Sequence, residues 1–76
     1  MSVLSAPPPT YSAVVRRDGD WWIGWIAEVR GVNCQAETRE QLLEDLREAL
    51  AEVLDLNREL AKREAGADYE EVAVSL

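Results

Sequence analysis

With fifteen carboxylates, eight basic side chains, no histidine and a single cysteine, this chain has a narrow set of chemistries open to it. Nucleophilic catalysis needs a nucleophile within reach of a base, and Cys34 has no His or Lys near it in sequence to hold a thiolate. Its expected role is that of a small buried hydrophobe. Asp18 and Asp20 flank Gly19, a placement that turns favour because Asp bonds its local backbone. No zinc-type Cys/His set exists. The expectation is a protein with no catalytic residues, no metal site and no cofactor.

Glu40, Glu44, Glu48 and Glu52 recur at every fourth residue, which sets four carboxylates along one flank of a helix. Such a strip serves solubility, or it docks a basic partner, with Asp55 and Glu59 continuing it. Trp21, Trp22 and Trp25 have the chemistry to stack nucleobases. The nearest cations, Arg16, Arg17 and Arg30, are too few to track a phosphate backbone. A net charge of −7 repels phosphate-rich partners and attracts basic ones. Independent nucleic-acid binding is therefore not expected.

At 76 residues the chain is one domain, near the size at which a single core barely offsets chain entropy. One cysteine excludes an internal disulfide, so association with other chains is the ordinary remaining source of stability. A homo-oligomer is expected. No apolar run reaches the roughly 18 residues of a membrane span, and the start lacks the order of a secretion signal, which points to the cytoplasm.

These side chains are positioned by a readable series of elements. Residues 1–9, ending in Pro7, Pro8 and Pro9, read as an extended arm, and 10–76 as the folded domain. Thr10 to Arg17 alternates as a strand and meets the turn dipeptide Asp18-Gly19. The second strand runs from Trp21 to Val29. One of its faces carries Trp21, Ile23 and Trp25, and the other Trp22, Gly24 and Ile26; both are largely apolar. The expectation is that Trp21 and Trp25 lie under a helix while Trp22 and Ile26 face a second molecule.

Arg30-Gly31 makes the next corner and Val32 to Glu37 a third strand. Thr38 opens the helix with Gln41 three residues on, the reciprocal pattern of a capping box, and Gly66 offers its stop after about Glu64. Leu42, Leu46, Ala49, Leu50, Val53, Leu56 and Leu60 form its apolar stripe. So long a helix outruns a short strand, so Leu56 and Leu60 join Trp22 and Ile26 as candidate oligomer contacts. Tyr69 to Leu76 alternates again and reads as a final strand, parallel to the first by the usual crossover. The fold class is α+β, in the order β-β-β-α-β.

The series Tyr11-Ser12-Ala13-Val14-Val15, Asp18-Gly19-Asp20-Trp21-Trp22-Ile23, Glu28-Val29-Arg30-Gly31-Val32, Gln35-Ala36-Glu37-Thr38-Arg39-Glu40 and Leu46-Arg47-Glu48-Ala49-Leu50 resembles the HicB-like family of type II antitoxins. Arg30 replaces the family's usual proline, and Ala36 its usual glycine. The resemblance implies a partly degraded ribonuclease-H-like fold, with an antiparallel three-stranded meander, one helix and a final strand beside the first. It also implies a partner, a small basic HicA-type ribonuclease toxin blocked by the antitoxin. Active ribonuclease-H-like enzymes place a metal-binding carboxylate in the first strand, where this chain has Ala13, Val14 and Val15, so no nuclease activity is expected. No room remains after residue 76 for the operator-binding segment common in such antitoxins, so autorepression is not expected of this chain.

Overall fold

The computed structural model describes residues 10–74. Three strands, β1 (Ala13–Asp18), β2 (Trp21–Ile26) and β3 (Asn33–Ala36), precede one helix, α1 (Arg39–Ala65). The strands form an antiparallel sheet in the order β1-β2-β3. This is the α+β meander-and-helix arrangement that the alternating segments predict. The proline-containing arm over 1–9 lies outside the described residues.

β1 and β2 make a tight hairpin. Asp18 pairs with Trp21, leaving Gly19 and Asp20 as the loop. Gly19 alone carries a positive φ there, +64°, a backbone that a side chain would strain and the mark of a type II′ turn. β2 ends at Ile26, three residues earlier than its alternation predicts, because the chain turns back over 27–32. The Ile26 amide donates to the Val32 carbonyl at 3.0 Å, and the Ala27 amide to Ser12 at 2.9 Å. The turn folds Val32 inward, where it is almost fully buried.

Thr38 caps the helix from an extended backbone, its Oγ1 accepting from the Gln41 amide at 3.1 Å. The reciprocal half of the expected capping box is not formed. Gln41 Nε2 instead donates to Asp45 Oδ1 at 2.8 Å, a carboxylate one turn on that offers a charge-assisted bond. At its other end the helix closes at Gly66, whose amide donates to the Lys62 carbonyl at 3.3 Å.

The core is small. Ile26, Val32, Ala36, Leu42 and Leu46 are its buried members, with Val15, Trp22, Cys34, Ala49, Leu50 and Val53 packed partly against it. Leu42 and Leu46 are 0% and 1% exposed. Burial of each leucine stabilises the fold by about 1.5–3 kcal/mol.

The helix covers the face of the sheet opposite to the one expected. Ile26 is buried beneath it and Trp22 is half-buried beside it, whereas Trp21 and Trp25 remain 43% and 41% exposed on the far side. Gly24 explains the choice. A Cβ placed on it would lie 2.9 Å from the Val14 carbonyl oxygen and from Val15 Cγ1, and 3.1 Å from Leu42 Cδ2. A strand position without a side chain admits the helix closely, so α1 settles over Gly24 and not over the bulkier Trp21-Ile23-Trp25 face.

The strand expected over Tyr69 to Leu76 is absent from residues 69–74, and 75–76 lie outside the described residues. Twenty-seven residues extend about 40 Å, while a six-residue strand covers about 20 Å, so the helix outruns the strands. Lys62 Nζ then holds Glu71 Oε2 at 3.3 Å, which keeps the segment alongside the helix end.

Candidate functional site

Four surfaces hold the residues that the sequence singles out. Glu40, Glu44, Glu48 and Glu52 are all exposed along α1, so the helix displays them as a strip. Only Glu44 has a basic neighbour among the ion pairs of the described residues, Arg47 Nη2 at 3.7 Å, an exposed contact of little energetic weight. Asp55 and Glu59 extend the acidic surface and pair with Arg58 at 3.4 Å and Lys62 at 4.0 Å.

Leu56 and Leu60 are 57% and 46% exposed on the half of α1 that overhangs the sheet. Trp22 and Ile26, expected beside them in one contact surface, belong to the helix-facing side of β2. The expected four-residue surface is therefore divided. Arg17 lies over the Trp22 ring, its guanidinium carbon 5.4 Å from the centroid, and Arg17 Nη2 donates to the Gly19 carbonyl at 3.0 Å. That cation–π contact closes the hairpin end of the core.

The surface that sequence reasoning missed is the open face of the sheet. The strand register sets Val14 opposite Trp25 and Asp18 opposite Trp21, with Ile23 between the two tryptophans. Val14 is 40% exposed. On the β3 side Gln35 and Asn33 stand opposite Ile23 and Trp25. A shallow depression of about 440 Å³ lies between these two strands. The signal for this face was Gly24, the one β2 residue without a side chain, which marks the side of closest approach.

Two titratable groups are shifted from their ordinary values. Burial, followed by the Asp45 carboxylate, pushes the Cys34 thiol upward, which disfavours a nucleophilic thiolate. Glu28 is held below its ordinary value, chiefly by the Ser12 amide that donates to its Oε1 at 2.8 Å. That bond ties the start of the chain to the corner after β2. Among the described residues no three His, Cys, Asp or Glu side chains gather as an ion would need. Among them, too, no helix is long and apolar enough to cross a membrane.

No family model, curated protein or solved structure matches the chain. The functional reading therefore rests on its own residues: an acidic helix flank on one side and an apolar, tryptophan-bearing sheet face on the other.

Proposed function

We propose that this chain is a non-catalytic binding module, a HicB-like antitoxin or solitary relative that neutralises a basic HicA-type ribonuclease by protein–protein contact in the cytoplasm. The observation that carries the reading is the exposed row Glu40, Glu44, Glu48 and Glu52, fixed on a rigid helix in a chain of net charge −7. A cationic ribonuclease surface is steered toward such a strip and docks on it. The resemblance of the hairpin, corner and helix cap to that family supports the same reading.

In the functional form the module is a homo-oligomer. The alternating segment from Tyr69 lies beside β1 as a fourth strand, giving the partly degraded ribonuclease-H-like arrangement. Among the described residues no strand pairs with the outer edge of β1, and β2 occupies its other side. The Ser12 carbonyl accepts from Ala27, so by alternation the amides and carbonyls of Ala13, Val15 and Arg17 point to the outer edge.

A second reading is an oligomeric interaction module of this fold with no toxin partner. It is favoured by the exposure of Val14, Trp21, Trp25, Leu56 and Leu60 around so small a core. Cleavage of RNA by a HicA-type ribonuclease co-expressed with this chain separates the two. Equimolar addition of the chain is expected to abolish cleavage, and a variant with Glu40, Glu44, Glu48 and Glu52 changed to Lys to restore it. Unchanged cleavage in the presence of the native chain refutes the antitoxin reading.

A further inference from the structure

We infer that the open face of the sheet, centred on Trp21, Ile23 and Trp25, is the surface through which two copies of this chain associate. This names the contact for the oligomer in the reading above and rests on that part of it alone. A two-fold contact sets a surface against itself, so every group on it must tolerate its own kind. This face meets that condition. Indole rings stack on indole rings, aliphatic side chains pack on each other, and the border amides Asn33 and Gln35 each donate and accept.

Charge distinguishes this face from the rest of the molecule. Two chains of net charge −7 repel wherever their carboxylates face each other. On the open face the strand register brings only Arg16 and Asp18, which cancel. The opposite side of the molecule carries the glutamate strip of α1, which a second copy would avoid and a basic protein would seek. The two sides therefore select different partners, and the uncharged side selects itself.

Area sets the strength. Two strands about 20 Å long and a third of about 13 Å, about 4.8 Å apart, present a patch on the order of 250 Å². That is less than the roughly 800 Å² per partner of a standard interface, so the pair is a reversible one that forms with rising concentration. Aromatic residues at its centre carry most of the energy, as in other small contacts.

Sedimentation equilibrium of the full chain tests the inference. The mass is expected to rise from 8.5 kDa toward twice that value with concentration. Trp25→Glu, and separately Val14→Lys at the edge of the face, are expected to weaken association at least about tenfold, since each places a charge against an apolar surface. Far-UV circular dichroism identifies which variants remain folded, and Val14, on an edge strand, serves where Trp25→Glu unfolds. A mass that stays at 8.5 kDa up to roughly 1 mM overturns the inference together with the oligomer. An oligomer that persists in a folded variant overturns the inference and leaves the oligomer standing on another surface. Ribonuclease inhibition, measured separately, decides the antitoxin reading in either case.

Discussion

Replacing Gly24 with Ala reports directly on how the helix meets the sheet. The added methyl would lie 2.9 Å from the Val14 carbonyl oxygen, a backbone atom that cannot rotate away, and 3.1 Å from Leu42 Cδ2. Overpacking of this kind costs about 1–3 kcal/mol. Removing a glycine from a strand returns about 0.5–1 kcal/mol of backbone entropy, so the net loss centres near about 1 kcal/mol and reaches about 2.5 kcal/mol. For a domain of this size each kcal/mol moves Tm by roughly 4–8 °C, which centres the expected drop on about 4–8 °C and limits it to about 20 °C. Thermal unfolding followed by far-UV circular dichroism measures it. A double-mutant cycle with Leu42→Val isolates the helix contribution. The pair should be less destabilised than the sum of the singles by more than about 0.5 kcal/mol, because shortening Leu42 opens space for the methyl. Additive effects, or a Tm at or above that of the native protein, would refute the placement of Leu42 over Gly24.

Other consequences are open to measurement. Thr38→Ala removes the helix cap and is expected to cost about 0.5–2 kcal/mol in urea unfolding. Gln41→Ala costs less, about 0.2–0.5 kcal/mol, because its side chain bonds Asp45 and not the cap. Glu28 is held below its usual 4.5, so its contribution is present above that value and lost as pH falls through the lower folded value. The gap in urea midpoint between the native chain and Glu28→Ala is therefore expected at neutral pH and narrows as pH falls below 4.5; a gap that does not narrow on acidification contradicts the Ser12 bond. Cys34, with its thiol pushed up by burial and Asp45, is expected to react with a maleimide more slowly than free cysteine at neutral pH, and normally once unfolded.

Much of this arrangement is legible in the residues. Asp18-Gly19 between two alternating runs specifies the hairpin, and Thr38 followed by a leucine stripe specifies the capped helix, because both signals are local. The bounds of β2 are less legible. Alternation continues through Val29, but the chain bends after Ile26 to bring Val32 into the core, a choice made by packing across 27–32. The covered face of β2 is ambiguous by composition, since both faces are apolar. Gly24 resolves it only when the absence of a side chain is read as room for Leu42.

The glutamate strip follows from spacing alone, and all four residues are exposed where the four-residue period places them. The oligomer contact does not follow so simply. Grouping Trp22 and Ile26 with Leu56 and Leu60 assumes that the helix roofs the tryptophan-rich face, and the reversal of that face separates the pairs. The final strand is legible as a pattern from Tyr69 onward, but a pattern gives no partner. Val72 and Val74 are 72% and 86% exposed, so nothing among the described residues buries the apolar side of that segment.

Methyl nuclear Overhauser effects in the isotopically labelled protein report directly on which face of the sheet the helix covers. Strong cross-peaks are expected from the Leu42 methyls to the Gly24 Hα protons, with contacts of the Leu42 and Leu46 side chains to the Ile26 cluster. Cross-peaks from those leucine methyls to the indole rings of Trp21 and Trp25 would contradict this placement, since they would put the helix on the face left open for a second copy.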